Sequence, residues 1–407
     1  MHFRPILSAL LRNKTGAVLV ILQIAITMAV IVNALFIINQ RLEKMNRDPG
    51  FDVQNMITFQ SWGFAEDYNH ESSVRQDVTF ISSLPGVIGV TPSNSLPLSN
   101  GGSANDFRAT AEAEDADGNS LPSVNANTYF MNEQAIDALG VELAEGRAFY
   151  PEEITFREQN SAAFVPVVIM TKRLAEQTFG TEDALGKTFY NSYGDPAEVV
   201  GLIEHMQGAW VDWDELENVL IMPGVSFGPF LRYIVRVEPG SRDEIISVLE
   251  EQLPGINHSR MIRRIGPYTD VVARAYRRDH SMTILLMSTV FLLVSITSLG
   301  IIGLASFSVR QRTKQIGTRR ALGATRRDIM EYFMIENLLV TSVGIALGTV
   351  MAVLFNIWLV DTYALAKLDL MYIPIGVVSL WILGQLAVLM PAIKASGIAP
   401  AIATRTV

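Results

Sequence analysis

Four apolar stretches punctuate the chain, at residues 17–38, 282–309, about 338–360 and about 372–390. Each approaches the roughly 20 residues with which a helix rising about 1.5 Å per residue crosses a hydrocarbon core about 30 Å thick. The pattern therefore predicts four transmembrane helices, bounded at residues 17–40, 281–309, 331–360 and 372–392. Residues 41–280, between the first and second, read differently. Short runs rich in β-branched residues (56–59, 165–170, 197–203, 219–222 and 233–237) alternate with helical stretches (73–83, 132–139, 172–179 and 243–252), which predicts a large α+β domain. The first and last of these helices run into Leu84-Pro85-Gly86 and Leu253-Pro254-Gly255, where proline and glycine are expected to stop them. The matching tripeptides hint at two related helix-then-strand units. Residues 93–120, rich in Ser, Asn, Gly and acid, read as a mobile loop.

Charge sets the orientation. The chain carries a net −9, but residues 41–280 hold 19 Lys and Arg against 36 Asp and Glu, a local −17 that leaves +8 for the rest. An acidic, solvated domain is joined to a basic membrane part, which argues against nucleic acid as a partner. The densest basic segment, residues 310–330, lies between the second and third apolar stretches. Short loops obey the lysine and arginine bias, so this segment is assigned to the cytoplasm, with residues 1–16 (Arg4, Arg12, Lys14) and the tail 393–407 (Lys394, Arg405). The acidic domain and the short loop 361–371 then lie outside. Arg274, Arg277 and Arg278, just ahead of the second span, run against the bias. Two readings stand: the end of a stalk helix continuous with the span, or contacts with headgroups and the acidic domain. A cleaved signal peptide competes with a retained first anchor, Val32-Asn33-Ala34 loosely resembling a cleavage site; the charge-free run exceeds the roughly 7–15 residues of a signal core and favours the anchor.

Catalytic chemistry finds little support. Cysteine is absent, and the five histidines (His2, His70, His205, His258 and His280) form no i, i+4 pair, so a zinc site is not expected. The acidic run Asp212, Asp214, Glu215 and Glu217 beside Trp210 and Trp213 lacks the glycine and spacing of a calcium loop and reads as a solvated face. No phosphate-binding Gly-x-x-x-x-Gly-Lys-Ser/Thr loop is present. No cofactor or metal is assigned to this chain, and it is not expected to be an enzyme.

The basic segment has a different pattern of helix, stop, helix. Residues 316–322 form a short amphipathic turn that Gly323 can end in the left-handed conformation. Thr325 then caps the next helix, with Asp328 completing a Thr-x-x-Asp variant of the capping box. Such an elbow is something a partner grips. The competing use is a polybasic patch on anionic lipid, each charge contributing about 1 kcal/mol near the surface, though lipid binding needs neither the stop nor the cap. In the third span, Gly344-x-x-x-Gly348 would let another helix approach closely.

Arg312-Thr313-Lys314-Gln315-Ile316-Gly317-Thr318-Arg319-Arg320-Ala321-Leu322-Gly323-Ala324-Thr325 resembles the signature of MacB-like and FtsX-like ABC transporter permeases. Glu336, the glycines of the third span, and Pro391-Ala392-Ile393-Lys394-Ala395 with Pro400-Ala401-Ile402-Ala403-Thr404-Arg405 extend the likeness, although the family tail usually has glutamate where Ile402 stands. Weaker echoes of the MacB-type periplasmic domain appear in Asn127-Thr128-Tyr129-Phe130, Leu139-Gly140-Val141, Glu145-Gly146-Arg147, Phe179-Gly180 and Leu185-Gly186-Lys187. The resemblance implies a multi-pass protein of the bacterial inner membrane working by mechanotransmission. A separate cytoplasmic ABC ATPase, with its own ATP and Mg, would drive the outer domain through the elbow, with coupling carried by Arg312, Lys314, Gln315, Ile316, Gly317, Arg319, Arg320, Leu322, Gly323 and Thr325. It further implies a second permease chain, identical or related, and a periplasmic adaptor with an outer-membrane exit duct for export of a peptide, antibiotic or similar amphiphile. A lipoprotein-releasing permease and an FtsX-type regulator of cell-wall hydrolases are the alternatives. A sensory receptor would need an output domain for which the cytoplasmic residues leave little room.

Overall fold

The computed structural model describes residues 14–66, 68–114, 117–158, 165–228, 230–363 and 366–400. Arg4, Arg12 and the tail residues 401–405 named above lie outside the described residues. The chain divides into two compact units, Arg47–Arg278 and the remainder.

In the second of these, the chain opens with α1 (Lys14–Met45) and returns in α7 (Arg277–Gln311), α8 (Thr313–Ala321), α9 (Arg326–Tyr363) and α10 (Tyr372–Ser396). Four of these helices are long and apolar enough to cross a membrane. They outrun the apolar stretches because the flanking residues also favour helix: α1 continues to Met45, Arg277 and Arg278 form the first turn of α7, and α9 starts at Arg326. The expected segment 310–330 is thus divided among the end of α7, all of α8 and the first turn of α9. Helix α1 is central. Val20, Ile24, Met28 and Val32 are buried against Ile301 of α7, Val340, Ile345 and Ala352 of α9, and Leu380 and Val388 of α10. The glycines of α9 make that approach possible. A side chain at Gly344 would stand 2.8 Å from Ile24 Cβ, and one at Gly348 would stand 2.7 Å from the Ala25 carbonyl oxygen. Gly348→Val is therefore expected to cost about 1–3 kcal/mol through overpacking, read as a lowered unfolding midpoint of the chain in detergent; an unchanged midpoint would contradict this packing. Where the two ends of α1 and α7 meet, Arg41 and Lys44 both bind the buried Asp279 carboxylate, Lys44 at 2.8 Å.

The unit Arg47–Arg278 contains β1 (Met56–Gly63), α2 (His70–Ser82), β2 (Val87–Ser93), β3 (Ala104–Arg108), β4 (Val124–Met131), α3 (Ala135–Leu139), β5 (Leu143–Gly146), β6 (Phe156–Glu158), β7 (Val167–Thr171), α4 (Lys172–Phe179), β8 (Thr188–Asn191), β9 (Pro196–Ile203), β10 (Val219–Pro223), β11 (Val225–Phe227), β12 (Leu231–Val237), α5 (Arg242–Ile256), β13 (Arg260–Pro267) and α6 (Thr269–Ala275). Four strands form an antiparallel sheet in the order β13-β1-β12-β2. With α2 and α5 connecting β1 to β2 and β12 to β13, this is the split βαβ arrangement of ferredoxin-like sheets. The two helix-then-strand units are its two halves. Their shared core joins Ile57, Phe59, Val235 and Val237 to Val74, Ile81, Leu249 and Leu253. Beneath the helices, Asp77 of α2 takes both guanidinium arms of Arg260 on β13 and accepts a 2.8 Å hydrogen bond from the Tyr233 hydroxyl.

Residues 94–230, inserted between the halves, carry a second sheet ordered β5-β9-β7-β10-β4-β3-β8. A further β8–β9 pairing joins six of its strands into a ring, with β5 outside it on β9. Leu174 and Ala175 of α4 complete its core with Val168, Met170, Phe189, Val199 and Leu220.

Three expectations are corrected. The supposed mobile loop 93–120 contains β3, which pairs with both β4 and β8. Its polar composition argues for loop, but Phe107 is buried and stacks on Phe189 at 4.7 Å, and that packing with two ladders outweighs local propensity. Helix α5 runs through Pro254-Gly255 to Ile256. The proline removes one bond in the last turn only, while buried Leu253 holds that turn on the sheet. Helix α3 also starts later than expected, at Ala135.

Candidate functional site

After α7 ends at Gln311, the Thr313 hydroxyl donates to the Val309 carbonyl at 3.1 Å and the Arg310 carbonyl at 2.9 Å, tying the start of α8 to the preceding turn. Helix α8 lasts nine residues. It stops because Gly323 adopts φ 101°, where a side chain would be strained. With Gly323 so placed, the Ala324 N–H donates to the Arg319 carbonyl at 3.0 Å and the Gly323 N–H to the Arg320 carbonyl at 3.2 Å. These are the two bonds of a Schellman stop. Next, the Asp328 N–H donates to the Thr325 hydroxyl at 3.2 Å, and the Thr325 N–H donates to the Asp328 carboxylate at 2.8 Å. This reciprocal box satisfies two donors at the start of α9.

The resulting hairpin has its own small core. Ile316 is buried with Ile329 and Phe333 of α9 and Ala392 and Ala395 of α10. An ion pair braces it, with Arg312 donating to Glu336 at 2.9 Å and to the Tyr332 hydroxyl at 3.2 Å. The guanidinium of Arg319 lies 4.9 Å from the centre of the Tyr332 ring. Behind the Arg312–Glu336 pair is a cavity of about 40 Å³ bordered by Ala17, Ile301, Asn337 and Val388.

The ten residues of the basic signature therefore separate by direction. Arg312, Ile316 and Gly317 point into the protein, and Arg312 spends its charge on Glu336. Lys314, Gln315, Arg319, Leu322, Gly323 and Thr325 are exposed, and Arg320 is half-buried. Leu322 is 83% exposed at the apex, preceded in the chain by Arg319 and Arg320 and followed by Arg326 and Arg327. A large apolar side chain held in water on a capped, braced turn is suited to insertion into a partner's pocket. Gly344 and Gly348 are elsewhere, on the α1 contact. Sequence reasoning missed Ile329, Tyr332 and Phe333 as parts of this element. Their signal was present in the i, i+4 spacing of Ile329 with Phe333 and of Tyr332 with Glu336. Among the described residues, no three His, Asp or Glu side chains converge as metal ligands.

Comparison with known proteins gives two family matches. Residues 17–251 match the family described as MacB-like periplasmic core domain, and residues 287–403 match FtsX-like permease C-terminal. Among curated relatives, a macrolide export ATP-binding/permease protein MacB of Aggregatibacter actinomycetemcomitans is 24% identical over 371 residues, covering 86% of this chain and 52% of that protein. The MacB protein of Wolinella succinogenes is 29% identical over 209 residues, covering 48% and 32%. An ABC transporter permease of Bacillus subtilis, YknZ, is 24% identical over 357 residues, covering 85% and 84%. The chain spans about half or less of those two MacB proteins. A crystal structure of the periplasmic region of MacB from Actinobacillus actinomycetemcomitans overlays on 56% of the chain with 18% identity and a TM-score of 0.32.

Proposed function

Because this chain belongs to the MacB-like, FtsX-like family of ABC transporter permeases, we propose that it is the permease subunit that couples a separate cytoplasmic ATPase to movement of a periplasmic domain. The observation that carries this reading is the exposed Leu322 at the apex of a hairpin whose base is packed. Its base is fixed to α9 and α10 by Ile316, Ile329, Phe333 and Ala395, and to α9 again by Arg312 and Glu336. Helix α9 in turn lies on α1 through Gly344 and Gly348. A displacement imposed on the hairpin by closure of an ATPase dimer thus moves packed helices as bodies, since close-packed interiors transmit strain.

In this proposal ATP and Mg²⁺ are held by the ATPase, and two permease chains, identical or related, seat two ATPase subunits. The protein lies in the bacterial inner membrane with the unit Arg47–Arg278 in the periplasm. A periplasmic adaptor and an outer-membrane duct complete an export system for a peptide, antibiotic or similar amphiphile. Copurification in mild detergent, read by mass spectrometry, tests the assembly. Recovery of an ABC ATPase with an adaptor is the expected result. Recovery of a cell-wall hydrolase in place of the adaptor would move the function from export to regulation, and the absence of any ATPase would overturn the coupling role.

A further inference from the structure

On the sheet β13-β1-β12-β2, Gln60 of β1 stands opposite Arg263 of β13 on one side and Arg232 of β12 on the other. Directly opposed residues point to one face. Trp62, two residues along β1, shares that face by the strand period and is opposite Met261. Both are open to solvent, at 44% and 51% exposure. The Trp62 ring centre is 6.4 Å from that of Phe230, and the Arg232 guanidinium lies 4.6 Å from the centre of the Phe230 ring. Next to Arg263 the strand bulges, with Arg264 at φ 56°.

Among the described residues, none of Arg232, Arg263 and Arg264 has a carboxylate partner, and Arg232 donates only to the Asn94 carbonyl. Burial, together with the charge of Arg264, holds the Arg232 guanidinium below its usual value. Three like charges gathered without a counter-charge repel one another, and they do so within residues 41–280, whose net charge is −17. Abundant acid was at hand and none was placed here. Exposed tryptophan beside arginine is the combination that dominates binding at protein interfaces.

The geometry points to a docking face for an acidic segment of a partner protein, whose carboxylates pair with Arg232, Arg263 and Arg264 while an apolar side chain covers Trp62 and Met261. Carboxylates meet guanidinium groups through two parallel hydrogen bonds, so Arg232 and Arg263, fixed on either side of Gln60 with Arg264 in the adjoining bulge, select the arrangement of the acids as well as their charge. This face belongs entirely to the unit Arg47–Arg278 and holds whether or not the hairpin docks an ATPase.

The test uses the full chain in detergent and two fluorescein-labelled probes, poly-L-glutamate and a random glutamate–tyrosine copolymer, titrated by anisotropy. The exposed arginines of the hairpin would also attract both probes, so every titration is made in a chain carrying Arg319→Gln, Arg326→Gln and Arg327→Gln, in which saturable binding reports this face. Both probes are expected to bind, the copolymer more tightly. The triple variant Arg232→Gln, Arg263→Gln, Arg264→Gln should weaken binding at least about tenfold, as loss of close interfacial charge pairs does. Trp62→Ala should remove the copolymer's advantage. Arg75→Gln with Arg173→Gln and Arg242→Gln, which lowers the charge equally on other surfaces, should change neither affinity. Absence of saturable binding, survival of binding in the first triple variant, or equal loss in the second would each overturn the assignment. Displacement by millimolar inorganic phosphate at constant ionic strength, with no effect of Trp62→Ala, would also overturn it, because that is the behaviour of a small-anion site.

Discussion

A Leu322→Glu chain is expected to insert and fold normally but to lose at least about tenfold of the stimulation it gives to its partner ATPase. The folding half follows from exposure. Leu322 is 83% open to solvent and belongs to none of the buried clusters, so glutamate removes no core contact. Its N–H still donates to the Thr318 carbonyl at 3.0 Å. The functional half follows from position. Truncating an apolar anchor buried at an interface costs about 2 kcal/mol or more, and each 1.4 kcal/mol is about tenfold in affinity. Glutamate adds the cost of burying an unpaired charge. The measurement is ATP hydrolysis by the copurifying ATPase in nanodiscs, with and without the permease, at rising permease concentration. Full stimulation at ordinary concentrations would remove Leu322 from the coupling contact.

Asp77→Ala is expected to destabilise the unit Arg47–Arg278 by about 3–5 kcal/mol, the usual cost of leaving one half of a buried ion pair alone. Both side chains of the Asp77–Arg260 pair have 0% exposure. Burial alone would lower the Arg260 guanidinium, but the hydrogen bonds and charge of Asp77 outweigh it and raise the group above its usual value, so the arginine remains charged in the fold. The same substitution leaves the Tyr233 hydroxyl without its acceptor. Denaturant unfolding of the full chain in detergent, followed by tryptophan fluorescence, reads the loss. Replacing the whole network, as Asp77→Leu with Arg260→Met and Tyr233→Phe, should recover most of it, because apolar groups of similar volume are often neutral or better and no buried hydroxyl is left without an acceptor. A loss below about 1 kcal/mol for Asp77→Ala, the range of exposed pairs, would contradict this account.

How much was legible depended on the distance over which each feature is encoded. The stop at Gly323 and the box between Thr325 and Asp328 were readable because every bond in them closes within five residues. The roles of Arg312 and Lys314 were not separable in the same way. The two residues are neighbours in one basic run, yet Arg312 is turned inward to Glu336 and Lys314 remains exposed. That difference depends on where α9 returns. In β3, Ala104-Asn105-Asp106 argues for a loop, and only the flanking strands β4 and β8 make it part of a sheet.

The amino-acid sequence by itself determined the four apolar helices, the acidic insertion between the first two, the basic elbow with its stop and cap, and the glycine spacing of the third long helix. Each of these rests on hydrophobic runs, net charge or hydrogen bonds between near neighbours, so no distant residue is needed to define it. Only the tertiary structure decided that Gly344 and Gly348 meet Ile24 and Ala25, that Asp77 meets Arg260, that one sheet is nested inside the other, and that Arg232 and Arg263 flank Gln60. These pairings join residues from about 170 to more than three hundred positions apart. Their partners are selected by the burial of whole faces, and local propensity carries no record of which faces will meet.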